Sequence, residues 1–116
     1  MRPPPDVFQL KRQEQLLGLV HVTGLWDMFW FSVRFDPTQA FAEVKPLFDR
    51  AIQALDYNGP GDVHEIWEEI TSSGVVLVRG DDGTVIDCFM LHLDGEESRL
   101  NYLEPADLDE LGRKPD

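Results

Sequence analysis

The apolar residues of this chain change their spacing twice, and that change constrains the fold more than any other feature. Over residues 15–23 and 27–35 the spacing is two, as in strands. In the first run Leu16, Val20 and Val22 share one parity, and Leu17, Leu19 and His21 the other. In the second, Phe29, Phe31, Val33 and Phe35 alternate with Trp26, Met28, Trp30, Ser32 and Arg34. Aromatic and β-branched residues favour strands. Gly24 lies between the runs, which suggests an antiparallel hairpin. From Phe41 the steps become three and four: Phe41, Val44, Phe48, Ile52 and Leu55 mark one face of a helix. Val63, Ile66, Trp67 and Ile70 mark a second, shorter one. Strand spacing then returns over 75–79, 84–93 and 98–103. Gly80-Asp81-Asp82-Gly83 and Asp94-Gly95-Glu96-Glu97 supply the turns between them.

Local signals punctuate the same reading. Asp36, Pro37 and Gln39 match a capping box with proline at the first helical position. Pro46 removes a backbone donor inside the first helix, so a kink or a fresh start near residue 43 is expected. Tyr57 to Gly61 ends that helix, Asp62 and Glu65 repeat the capping spacing, and Gly74 closes the second helix. The expected fold is α+β, in the order ββααβββ. It has a single antiparallel sheet of about five strands, with both helices packed on one face. Residues 1–6 read as a flexible, Pro-rich arm, 7–103 as the domain, and 104–116 as an acidic tail with one helical turn around Leu108 and Leu111. Residues 7–14 fit either a short helix or an added strand.

Charge divides the chain. Residues 1–55 hold six acids and six bases, whereas 56–116 hold 16 acids and four bases, so the whole net charge of −12 lies in the second half. Such a field repels nucleic-acid phosphates and anionic membranes and attracts basic surfaces. There is no apolar run of the ~20 residues that a membrane helix needs. The first residues lack the apolar core of a signal peptide, and one cysteine cannot form an internal disulfide. A cytoplasmic protein is the expectation.

No motif identifies a family or a chemistry. His64-Glu65-Ile66-Trp67-Glu68 has glutamate where a zinc-protease helix carries its second histidine. Gly59-Pro60-Gly61 lacks the lysine and spacing of a phosphate loop. Asp81, Asp82 and Asp87 lack the alternation of a calcium loop. Cys88, beside Asp87, has none of the positive charge that activates a thiol and reads as a core residue. His21 and His92 both fall in strands, where they could be neighbours. No cofactor or metal is expected.

Two surfaces remain as candidates for a partner. One is acidic: Glu65, Glu68 and Glu69 on a helix without lysine or arginine, together with the turn acids Asp81, Asp82 and Asp94. The other is the Trp26, Met28, Trp30 stripe, which shares a strand with an already apolar opposite parity and so needs a cover of its own. The expected function is a non-catalytic protein-interaction domain with a basic protein as partner. In charge and size alone it is comparable to acidic immunity proteins that neutralise basic toxins, or to DNA-mimic inhibitors. The alternatives are a homodimer paired through the tryptophan strand, and a small ligand-binding domain or enzyme with dispersed His and carboxylate groups.

Overall fold

The computed structural model describes residues 3–27, 30–56 and 62–105. Three strands come first: β1 (Val7–Arg12), β2 (Gln15–Asp27) and β3 (Trp30–Pro37). A 3-10 turn, Gln39–Glu43, leads into helices α1 (Lys45–Asp56) and α2 (Asp62–Ser72). Four strands follow: β4 (Val75–Arg79), β5 (Val85–Ile86), β6 (Cys88–His92) and β7 (Arg99–Leu103). The sheet order is β5-β4-β1-β2-β3-β7-β6, and every pairing is antiparallel.

This is an α+β domain with an antiparallel sheet and two helices, but with seven strands instead of about five. Two corrections account for the difference. Residues 7–12 form a strand at the middle of the sheet, between β2 and β4. The expected strand 84–93 is broken at Asp87 into β5 and β6. These two pieces stand at opposite ends of the strand order, yet a single residue joins them. Ile86 and Cys88 are two backbone steps apart, at most about 7 Å. The two edges of the sheet therefore meet there, and the sheet is nearly a barrel.

The core lies inside this curl. Phe8 and Leu10 of β1, Leu17 and Val20 of β2, Leu77 of β4, Ile86 of β5, and Leu91 and Leu100 of β6 and β7 are fully buried. The helices pack against the curled sheet, α1 touching β6 and α2 touching β4. A file of ring contacts marks their path: Phe35 to Phe41 (4.8 Å between centroids), Phe41 to Phe48 (5.4 Å), Phe48 to Trp67 (5.9 Å) and Trp67 to Phe89 (5.3 Å). The last two are edge-to-face, a favoured geometry for aromatic pairs. The rings thus run from β3 across both helices to β6.

The first helix does not start at Pro37. Strand β3 continues through Asp36 and Pro37, and Thr38 makes no side-chain cap. Its hydroxyl instead donates to the Leu16 carbonyl at 2.6 Å. The Asp36 carboxylate lies 2.8 Å from His21 on the neighbouring strand and 3.5 Å from Arg34 on its own, so sheet partners take the group expected to cap the helix. The restart comes at Lys45. Pro46 then stands in the first turn of α1, where a missing N–H leaves no bond unmade. The Asp62 and His64 side chains lie outside the described part of the molecule.

Candidate functional site

The charge division seen in the sequence becomes a division of ion pairs. Arg12 pairs with Glu43, Arg34 with Asp36 (3.5 Å) and Lys45 with Asp49 (2.8 Å), all within the neutral half. Arg50 reaches across from α1 to Glu69 of α2 at 3.4 Å. Glu65 and Glu68 are exposed and have no basic side chain opposite them among the described residues. The apolar face of α2 explains their position. Ile66, Trp67 and Ile70 are buried, which turns positions 65 and 68 to the outside.

The turn acids have a different role. Arg79 grips Asp81 with two bonds, Nε to Oδ1 at 3.0 Å and Nη2 to Oδ2 at 2.8 Å. That hydrogen-bonded guanidinium holds the Asp81 carboxyl below its ordinary range. Asp82 accepts from the amide (3.0 Å) and the hydroxyl (2.7 Å) of Thr84. Both carboxylates build the β4–β5 turn. Asp94 heads the 3-10 turn before β7, where its amide donates to Ser98 Oγ at 2.9 Å. Of the acids expected to meet a partner, Glu65 and Glu68 are exposed with no pair among the described residues, and the half-buried Asp94 carboxylate likewise has none there.

The tryptophan stripe does not lie on one strand: β2 continues through Gly24 to Asp27, so Trp26 belongs to β2 and Trp30 to β3, and the hairpin turns after Asp27 and not at Gly24. Bulges between Val22 and Gly24, and between Leu25 and Asp27, twist the end of the β2–β3 hairpin. Leu25 and Trp26 are left 67% and 45% exposed. Trp30 stacks on His92 with ring centroids 4.9 Å apart. The Arg99 guanidinium lies 5.4 Å from the Trp26 ring and 5.9 Å from the Trp30 ring, within cation–π range of both. Met28 lies outside the described residues. His92 is 4% exposed, and neither ring nitrogen has a hydrogen-bond partner among the described residues. Burial, reinforced by Arg99 and opposed by Asp94, pushes its pKa down to about 4. The ring is therefore neutral near pH 7. His21 lies on β2, with β3 and β7 between it and β6. His21 and His92 do not come together, and the side chain of His64, the third candidate, lies outside the described part of the molecule. No group of metal-ligating side chains occurs among the described residues.

Sequence reasoning missed one place. A cleft of about 380 Å³ opens between α2 and the β6 edge, lined by Trp67, Thr71, Asp87, Cys88, Met90 and Leu103 among others. Cys88 is exposed in it, not buried in the core as its neighbours suggested. The break at Asp87 is the cause. It places Phe89 and Leu91 on the inner parity of β6 and turns Cys88 and Met90 outward. No helix among the described residues is long and apolar enough to cross a membrane. No family model, curated protein or solved structure matches the chain.

Proposed function

We propose that this chain is a protein-binding domain that docks a basic partner on the outer face of α2. The observation that carries this reading is the open pair Glu65 and Glu68. It faces outward while Arg12, Arg34 and Lys45 are occupied by acids of their own half. A helix face of one sign, with no internal counter-charge, favours an oppositely charged surface and speeds encounter with it. The test is affinity capture from the native cell with the wild-type chain and with Glu65→Lys/Glu68→Lys. The reading expects a basic protein that is held by the wild type, is released as salt rises through about 0.1–0.5 M, and is lost with the double variant. Equal capture by both chains, or binding indifferent to salt, counts against it.

A second reading has its own observation. Leu25 and Trp26 form an exposed apolar tip on the β2–β3 hairpin, and such tips drive self-association. Sedimentation of the wild type against Leu25→Ser/Trp26→Ser decides it. A wild-type dimer that the variant dissolves supports the hairpin as a homodimer contact, and a wild-type monomer at micromolar concentration removes it.

A further inference from the structure

Strand β6 alternates in burial until its last residue. Phe89 and Leu91 point into the core, and Cys88 and Met90 point outward. His92 has the outward parity, yet it is buried. The backbone register shows what lies around it. Arg99 of β7 pairs with His92 on one side and with Ser32 of β3 on the other, so the three share the outer face. Trp30 stands two residues before Ser32, on the same parity. Strand β7 separates β3 from β6, which puts their backbones roughly 9.5 Å apart. The Trp30 indole nevertheless reaches over to the His92 ring, with centroids 4.9 Å apart and planes tilted by 32°. His92 is thus covered from outside by a side chain of a strand that is not its neighbour.

That cover suits a neutral ring and not a charged one. Neither His92 nitrogen has a hydrogen-bond partner among the described residues, so an imidazolium would have no acceptor for its two donors. Arg99 faces it with a charge of the same sign. The guanidinium also lies 5.9 Å from the Trp30 ring and 5.4 Å from the Trp26 ring, so it already takes the cation–π attraction those rings offer. Asp94, half-buried two residues on, is the opposing acid. From α1 and β3, Lys45, Asp49 and Arg34 line a cleft with the neighbouring Leu93. They are engaged in pairs, Lys45 with Asp49 and Arg34 with Asp36. Glu96 and Glu97, in the turn before β7, are exposed.

We propose that Trp30 is a lid over His92 that opens when the imidazole takes up a proton. Closed, the lid keeps a neutral ring stacked and dry. Once charged, the ring is repelled by Arg99 and needs water on both nitrogens, so the indole swings off and the ring is hydrated. The motion stays outside the core. Phe31 and Val33, the inward neighbours on β3, keep their places against β7, where the Val33 amide donates to the Ser98 carbonyl at 3.1 Å. Opening adds Trp30 to the exposed Leu25 and Trp26, so acid enlarges the apolar tip of the hairpin. The covered ring titrates at about 4 and a hydrated one at 6.5, so the open form gains roughly 20-fold between pH 7 and pH 5. The device involves neither Glu65 nor Glu68 and does not rest on docking at α2.

The chain has three tryptophans, so labelling with 5-fluorotryptophan gives three fluorine resonances, assigned by Trp→Phe variants at 26, 30 and 67. A neutral, soluble paramagnetic agent then reads the exposure of each ring. From pH 7 to pH 5 the relaxation enhancement at Trp30 should rise at least about twofold, while that of the buried Trp67 stays constant. In His92→Phe the Trp30 resonance should hold its pH 7 value throughout. If that variant loses the folded Trp67 resonance, His92→Gln takes its place. Arg99→Gln removes the repulsion and should show a smaller rise. A flat Trp30 in the wild type overturns the proposal. So does an equal rise in the His92 variant, which would assign the titration to another group. A rise at Trp67 in step with Trp30 reads as unfolding of the domain and overturns a local lid. An undiminished rise in Arg99→Gln overturns the part given to Arg99.

Discussion

Arg79 keeps the inward parity of Val75 and Leu77, so a guanidinium enters the end of the curled sheet with its side chain 3% exposed. Nη1 donates to Glu104 at 2.8 Å and Nη2 to the Pro3 carbonyl at 3.0 Å, while Nε and Nη2 hold Asp81. One side chain thereby ties together the N-terminal residues, the β4–β5 turn and the end of β7. Removing one member of a buried pair strands the other charge, at a cost of about 3–5 kcal/mol. Arg79→Met should approach that cost, because Glu104 stays buried at 4% exposure opposite a neutral chain. Glu104→Gln should cost less, since Asp81 remains on the guanidinium, and Arg79→Met/Glu104→Leu should recover much of the loss. Urea midpoints of the three variants check the order; an Arg79→Met midpoint equal to the wild type's would sink it. None of this was legible from residue types, because Arg79 and Glu104 stand 25 positions apart and only strand parity turns both inward. His92 supplies a pH signature. Its pKa lies near 4 in the fold against an ordinary 6.5, so the unfolded chain takes up the proton first. Stability from this group is complete above about pH 6.5 and falls as pH drops towards 4, by on the order of 3 kcal/mol at most. His92→Phe keeps a ring against Trp30 and removes the titration. Its unfolding midpoint should change less than the wild type's between pH 6.5 and 4, and parallel curves would refute the assignment.

At the scale of elements, the strands pack so closely at one point that only glycine fits. A Cβ on Gly18 would stand 2.4 and 2.5 Å from Phe35 ring atoms and 2.7 Å from the Asp36 carbonyl oxygen. On its other side Gly18 pairs with Leu10, beside the bulge at Leu10/Lys11. Gly18→Ala should cost about 1–3 kcal/mol through forced displacement of β3. Adding Phe35→Leu should return part of that and not all, because the carbonyl contact remains. Thermal unfolding of the single and double variants measures both effects, and a neutral Gly18→Ala would mean that the two strands are not apposed this way. Element types were largely readable from period: both helices and most strands stand where spacing placed them. The curl was not. Residues 84–93 contain no glycine or proline to announce a break, and apolar residues run on both sides of Asp87. What breaks the run is tertiary, since β4 takes Val85 and Ile86 while β7 takes Cys88 to His92. The cleft and the exposure of Cys88 both descend from that joint, so they were hidden with it. Asp36 was misread for a similar reason: a cap needs only local spacing, but His21 and Arg34 on the sheet compete for the same carboxylate.

Across the whole molecule, the uneven charge is what the sequence showed most directly, and pairing has sharpened it. Arg12, Arg34 and Lys45 pair with acids of the first half, Arg50 pairs with Glu69, and Arg79 is taken up by the β4–β5 turn and Glu104. Glu65, Glu68, Asp87 and Glu96 are left exposed with no ion pair among the described residues, while Arg99 donates to the Glu97 carbonyl at 3.0 Å. A chain at −12 with its open acids on one half repels itself in the compact state more than when unfolded. Salt that screens this repulsion should therefore stabilise the fold. The exposed pairs such as Lys45 with Asp49 weaken under the same screening, but each contributes at most about 1 kcal/mol, so repulsion governs the sign. Sodium chloride raised from about 0.02 to 0.3 M shortens the screening length from roughly 20 Å to below 8 Å. The melting temperature should rise over that range. In Glu65→Lys/Glu68→Lys, whose net charge is −8, the protein should begin higher and gain less. If the wild type melts at one temperature throughout, or the double variant gains as much from salt as the wild type does, the open glutamates are not the seat of the repulsion. The acidic face would then have to be sought elsewhere on the second half.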